Sequence, residues 1–523
     1  MMKKYLYLLF AIAILATFAA CSYFINEPNN EYEYEEPDET DPQPIPPNVH
    51  VGLSVQDDGI LRLSMRHPLS LNPLLNEDGT VAKILRLLFE PLIIFDENLH
   101  PTDNLARMEM ASDFTHATLT IRSDAIWSDG IPVSSDDLIF SVEVLRLAPE
   151  TVIYKRNIEN IAQIVRVDSR TVQIVFVKPS MTASYALNFP IIPEHYFRGH
   201  NNLASPRNME PLGNGPYRFE SLHPMQMMTL VRNEYSFRRS QIEEINVLLI
   251  PDAETTLHAF NQGRIDAIRL PFSEWVKHHS VKPVHHEEFP AMYFEFIGFN
   301  FQRDIFKSEH IRRGIAQAFD ADEAMNAVYL HQAVRAVSPI HPYSWMHDDT
   351  IVGPGFNPGQ ASVALRAVDT DEPLEILVNT EHIERVHIAQ RLATSLNAVG
   401  LPAQVVRLPF DEYHQRLMYG EFDLFMGGMQ LDFAPNFAFM FQGRELFGVD
   451  LVMEGLSSAL YAQSTETAFL RAVSQLQQGF VDRLPIISLG FRHSSVITGT
   501  RISQNHPPST DHIFASINES TIR

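Results

Sequence analysis

Leu119-Thr-Ile-Arg-Ser-Asp-Ala-Ile-Trp-Ser-Asp-Gly-Ile-Pro-Val-Ser-Ser-Asp-Asp-Leu-Ile-Phe-Ser-Val-Glu143 is the most specific stretch of this chain. It reads as a strand, a tight turn at Asp129-Gly130 and a helix. Ser134 stands where a helix N-cap is needed, with Asp137 three residues on. Ile139, Val142 and Leu145 recur at helical spacing and are expected to face inward. Trp127 is expected to pack beneath the turn, and Asp129 to bond the turn backbone.

Further along the chain, strands and helices alternate. Gly59-Ile-Leu-Arg-Leu-Ser-Met-Arg66 reads as an alternating strand, and Val81 to Phe89 as a helix with Leu85, Leu88 and Phe89 on one side. Ile311, Ile315 and Phe319 form a helical stripe. Asp320 follows as the N-cap of a second helix, with Glu323 in the capping-box position. Residues 374 to 429 read as a βαβαβ unit: strands at Leu374–Val378, Val405–Leu408 and Asp423–Met429, with helices at Ile383–Val399 and Asp411–Tyr419. Gly213-Asn-Gly-Pro-Tyr-Arg-Phe219 reads as a turn feeding a strand, because Pro216 and Arg218 spoil it as a dinucleotide loop. The expected fold class is α/β.

The N-terminus is different in kind. Met-Met-Lys-Lys precedes an apolar run from Tyr5 to Ala20, too short for a spanning helix of roughly 20 apolar residues, and Ala19-Ala20 leads directly to Cys21. Cys21 is the single cysteine of 523 residues, so no disulfide can form within the chain. Residues 1–20 read as an export signal. Residues 21–49 form an acidic, Pro-rich tether with too little apolar material to fold. Net charge is −24, and removing the eight carboxylates of the tether leaves −16, which argues against nucleic acid as a partner. The remaining 475 or so residues exceed one core and predict two or three lobes.

Several blocks recur in a familiar order. They are Ser70-Leu-Asn-Pro-Leu, Phe89-Glu-Pro-Leu, Leu105-Ala106, the stretch quoted above, Ile191-Ile-Pro-Glu-His-Tyr-Phe, Gly213-Asn-Gly-Pro-Tyr-Arg-Phe and Gly263-Arg-Ile-Asp-Ala-Ile. Phe299-Asn-Phe, Ile311-Arg-Arg-Gly-Ile-Ala-Gln-Ala-Phe-Asp and Leu484-Pro-Ile-Ile-Ser-Leu complete the series. Together they resemble the extracellular solute-binding proteins of family 5, the oligopeptide, dipeptide and nickel type, over nearly everything after the tether. The resemblance implies a periplasmic-binding-protein-like fold of two lobes with a hinge plus an inserted extra domain. By it, 50–88, 207–292 and 485–523 make a discontinuous lobe I, 89–206 an inserted domain II, and 293–484 a third lobe. It also implies Cys21 as a lipid-bearing residue anchoring the chain to the bacterial cell membrane, an ABC permease as partner, and a monomeric receptor.

The ligand is expected at Phe422-Asp-Leu-Phe-Met-Gly-Gly-Met-Gln-Leu-Asp-Phe-Ala-Pro435. Leu424 to Met429 reads as a buried strand, and Gly427-Gly428 as a wall that a ligand approaches closely. Asp432, between Leu431 and Phe433, is expected to be walled off from solvent with its countercharge supplied by the ligand. In peptide-binding relatives an Asp at this position engages the ligand's α-ammonium group. Met429 and Phe433 supply an adaptable apolar surround. Backbone groups near Ser70 to Asn72, Gly298 to Asn300 and Gly427 to Met429 are expected to pair with ligand amides. Relatives often carry Trp where Met429 stands, and some oligopeptide binders carry an Arg near Met426; this chain has neither.

Catalytic signatures are missing: no Gly-x-Ser-x-Gly, no P-loop, and no cysteine in the folded part. The pairs His278-His279 and His285-His286 lie in polar surroundings, while His382 and His387, spaced i, i+5, do not share a helix face. No metal and no cofactor is expected. The function these readings imply is capture of an extracellular solute, most simply a peptide, by hinge closure for an ABC importer. The alternatives are a nickel chelate, an oligosaccharide or a signalling peptide on the same fold, or a lipid-anchored hydrolase.

Overall fold

The computed structural model describes residues 59–200, 205–270, 283–368, 372–434, 437, 440, 447–448, 450–503, 512–514 and 520–522. The export signal, Cys21, the tether and His278-His279 lie outside the described residues.

Three sheets organise the chain. The first has the order β1-β10-β9-β8, built from β1 (Ile60–Met65), β8 (Tyr217–His223), β9 (Met227–Arg232) and β10 (Glu244–Leu249). The hairpin β2 (Ile93–Phe95) and β3 (Pro101–Asp103) leads into the second, an antiparallel sheet of order β4-β5-β7-β6. Its strands are β4 (Ala106–Met110), β5 (His116–Ile121), β6 (Ile161–Arg166) and β7 (Thr171–Phe176). The third sheet is mixed: β11 (Ala267–Arg269), β17 (Ile486–Gly499), β12 (Val284–Phe299), β16 (Leu424–Gln430), β14 (Leu374–Asn379) and β15 (Ala403–Leu408) in that order, with β13 (Ala333–Arg335) on β17.

The opening stretch forms for local reasons. Gly130 takes φ +90°, which an L side chain resists, and Asp129 accepts the Ile131 N–H at 3.0 Å. Helix α1 (Ser135–Leu147) starts with a reciprocal capping box between Ser134 and Asp137. Asp137 also accepts the indole N–H of fully buried Trp127 at 3.2 Å, so one carboxylate holds both cap and turn. The inward stripe of this helix begins at Leu138, and Ile139 is half-buried.

The βαβαβ unit is present as the parallel set β16-β14-β15, with α2 (Ile383–Ala398) and α3 (Phe410–Tyr419) as its crossovers. Gly420, at φ +69°, ends α3. Apolar residues cover both faces of this sheet. Ile297, Phe299 and Met426 pack toward α2, while Phe294, Phe296 and Phe425 pack on the other side.

Two long strands join the cores. β12 and β17 pair from Val284↔Gly499 to Gly298↔Ile486, with a register break between Pro290 and Tyr293. Phe289 and Val496 belong to the core of the first two sheets, whereas Met292 to Phe299 and Ile486 to Phe491 belong to those of the third. Ile486 to Arg492 pair with Tyr293 to Gly298, and the remainder of β17 pairs with Val284 to Pro290, so β12 runs through the expected division at 292/293 while β17 begins just after the one at 484/485.

Candidate functional site

Asp432 is placed by the exit of β16 from the sheet. The strand runs antiparallel to β12 as far as Gln430↔Tyr293, and the Leu431 N–H then donates to the Met292 carbonyl at 2.7 Å. β14 accompanies β16 only at Ile376↔Leu424 and Leu377↔Phe425. Asp432 therefore follows the C-terminal end of a strand whose parallel neighbour has already diverged, where α/β sheets leave room for ligands.

A small cavity of about 20 Å³ lies there. Its apolar lining includes Leu99, Met292, Ile340, Met346, Phe433 and Phe437, and its ionisable groups are Asp432 and His341. Leu99 comes from the β2–β3 hairpin, so both bodies contribute to the wall. An aromatic contact joins them: Phe433 lies 4.4 Å from Phe95 between ring centroids, and Phe95 is backed within its own body by Tyr185 at 5.4 Å. The Tyr185 hydroxyl donates to the Leu99 carbonyl at 2.9 Å and accepts the Trp345 indole N–H at 2.8 Å.

The Asp432 side chain is exposed, contrary to the expectation of a sealed carboxylate. Yet desolvation by surrounding protein raises its pKa above the ordinary value, with long-range attraction from Arg156 opposing the rise. The two observations describe different shells: water touches the carboxylate, while protein fills the space beyond, as at the mouth of a crevice. Exposure decides the contact question, and Asp432 forms no ion pair among the described residues.

The glycine pair does not serve as a bare wall. A methyl group at Gly427 would overlap the Phe296 ring, and one at Gly428 would overlap the Arg385 guanidinium and the Glu295 carboxylate. Protein side chains occupy that space. Gly298 lies inside the sheet, paired with Phe425 on one side and Ile486 on the other, so its backbone is not open to a ligand. Asn300 is buried; its amide donates to the carbonyls of Gly420 (2.9 Å) and Phe422 (2.7 Å). Ser70 and Asn72 are buried in a turn, where Asn72 donates to Asn208 at 3.2 Å and accepts the Leu74 N–H at 3.0 Å. These positions therefore shape the fold around its turns. Of the expected site residues, the cavity brings together Asp432 and Phe433, and Met429 is half-buried on the adjoining strand.

Sequence reading missed two features. Glu295 and Arg385 form a two-pronged buried ion pair at 2.8 and 3.2 Å, with side chains 1% and 5% exposed. Arg492 lies 3.8 Å from Glu295, with its guanidinium 3.7 Å from the Tyr293 ring centroid. The available signal was one carboxylate inside the apolar run Phe294-Glu295-Phe296. The second feature is His341, 1% exposed in the cavity wall; burial first, then the nearby His493 and His347, push its pKa down to about 3. Among the described residues no cluster of three His, Cys, Asp or Glu could hold a metal ion, and no helix is long and apolar enough to cross a membrane.

Known proteins sharpen this picture. The model of the middle region of bacterial extracellular solute-binding proteins, family 5, matches residues 100–445. The dipeptide-binding protein of Escherichia coli K12 is 23% identical over 414 residues, covering 72% of this chain and 77% of that protein. The ABC transporter substrate-binding protein CtaP of Listeria monocytogenes has the same fold, with TM-score 0.78 at 18% identity over 88% of this chain and 99% of its own. NikZ of Campylobacter jejuni, solved with Ni(L-His), has TM-score 0.69 at 19% identity over 88% and 99%.

Proposed function

Because the chain belongs to the bacterial extracellular solute-binding proteins of family 5, we propose that it captures a short peptide outside the cytoplasm and presents it to an ABC permease. One observation carries the choice of peptide: Asp432 stands in the cavity between the two bodies, in surroundings that penalise its charge, with no cation paired to it among the described residues. A ligand ammonium group removes that penalty. Closing the bodies excludes water and strengthens the attraction. Phe433 and Met429 supply apolar contacts beside the charge, and the edge of β16 beyond Met426, whose carbonyl accepts the Tyr413 hydroxyl, offers backbone groups to a peptide.

On the same reading Cys21 carries a lipid anchor, residues 21–49 hold the folded part away from the membrane, and 89–206 form the inserted domain. The protein catalyses no reaction. Native mass spectrometry of the protein as purified is the test: co-purifying peptides of mixed sequence support it, whereas a nickel chelate supports the second reading that the NikZ likeness raises. Incubation with peptides and their unchanged recovery separates a binder from a hydrolase.

A further inference from the structure

Taking this cavity as a peptide site, we propose that His341 is a second ligand-binding residue, whose Nε2–H donates to the backbone carbonyl next to the ammonium group held by Asp432. The proposal rests on geometry at the imidazole. Its Nδ1 accepts the Tyr343 N–H at 3.1 Å, so in the neutral ring the proton sits on Nε2. Nε2 is buried and has no protein acceptor among the described residues. The ring is held in place, 4.5 Å from Phe491 and 5.2 Å from Tyr343 between centroids.

A fixed, uncharged donor suits an uncharged acceptor. Burial keeps the ring neutral at physiological pH, so it adds no second positive charge beside a ligand ammonium. In a peptide the acceptor nearest the ammonium group is the first carbonyl oxygen, and Asp432 and His341 line one small cavity. The same tautomer argues against metal coordination. A metal would need the Nε2 lone pair, which requires moving the proton to Nδ1 and losing the bond from Tyr343. Free amino acids and peptides both offer an ammonium group, but only the peptide offers an amide carbonyl beside it. His341 is thus a specificity-determining residue for peptides over metal chelates.

Calorimetry with tri-leucine, and with tri-leucine carrying sulfur for oxygen at the first peptide bond, tests this. Sulfur accepts hydrogen bonds more weakly, so the parent protein should prefer the oxygen form. His341→Phe should weaken tri-leucine binding about tenfold and erase the preference, while His341→Gln, which keeps an N–H donor, should restore part of both. A role in packing alone would lower the melting temperature of the variants without changing the oxygen-to-sulfur ratio. If the phenylalanine variant does not fold, indifference of the parent to the sulfur substitution overturns the role of His341. Equal affinity of parent and folded His341→Phe for tri-leucine also overturns it, with the peptide reading intact. Failure of the parent to bind tri-leucine overturns both.

Discussion

Two carboxylates flank the same strand pair and are treated in opposite ways. Glu295 on β12 is sealed, 1% exposed, and gripped by Arg385 with Arg492 close by. Asp432, just past the end of β16, is exposed and has no cation bonded to it among the described residues. A buried charge with its partner built in contributes to a fixed architecture. A charge left at a crevice, where surrounding protein raises its energy, lowers the free energy of any state in which a cation arrives. The contrast separates what the sheet needs for itself from what it offers a ligand.

The largest expected effect breaks the sealed half. Arg385→Met removes the two-pronged partner and leaves buried Glu295 with only the longer contact to Arg492 at 3.8 Å, which should cost about 3 to 5 kcal/mol of unfolding free energy. Denaturant titration measures it; a loss under about 1 kcal/mol would mean that Arg492 compensates and the pair is redundant. Changing Asp432→Asn should do the reverse, sparing stability while weakening peptide binding more than about tenfold, from a charge-assisted contact of roughly 1.5 to 3 kcal/mol. Calorimetry that finds the Asn variant binding as tightly as the parent removes Asp432 from the site.

Acid sharpens the same contrast. Desolvation raises the Asp432 pKa, so neutralisation and loss of attraction for an ammonium group begin at a higher pH than for an ordinary Asp. Peptide affinity should therefore fall on acidification in the parent and change less in Asp432→Asn. Stability follows the opposite sign: an acid with a higher pKa folded than unfolded holds its proton more tightly when folded. Its contribution is complete below the unfolded pKa and is lost as pH rises through the folded one. Titrating both affinity and unfolding free energy in parent and variant checks both signs.

Gly428→Ala ranks next. The added methyl group collides with Arg385 and Glu295, and because both are pinned in a buried pair the collision should cost about 1 to 3 kcal/mol. A neutral result in denaturant titration would show that the guanidinium can shift freely.

What could be read in the sequence was local. The turn at Asp129-Gly130, the Ser134–Asp137 cap and the βαβαβ unit depend on residues a few positions apart, and periodicity fixes their form. The resemblance across ordered blocks extended this to the whole fold. The Glu295–Arg385 pair joins residues 90 positions apart; a carboxylate inside the apolar run Phe294-Glu295-Phe296 hints that Glu295 needs a partner, but nothing local identifies Arg385 as that partner or as the group that fills the space over Gly428. The side-chain partners of Asn72 and Asn300, 136 and 122 residues away on other elements, are likewise invisible to a local reading. Asp432 was located from its place after a buried strand, but its exposure depends on how two bodies meet, which no short stretch encodes.

The smallest predicted effect concerns that meeting. Tyr185 sits between the bodies, with one bond to Leu99 and one from Trp345. Tyr185→Phe removes the bond to Leu99 within its own body and the bond from Trp345 across to the other, while keeping the ring against Phe95. The closed arrangement should lose about 1 kcal/mol relative to an open one, and a ligand that binds only the closed form loses affinity by no more than that factor, roughly fivefold. Small-angle X-ray scattering of the ligand-free variant should show a larger radius of gyration than the parent, with saturating peptide restoring the compact value. An unchanged radius and unchanged affinity would assign closure to the remaining contacts, among them the Phe95–Phe433 rings and the Trp345 backbone N–H bond to the Asn98 carbonyl at 3.0 Å. The open carboxylate would then be covered without any contribution from the Tyr185 hydroxyl.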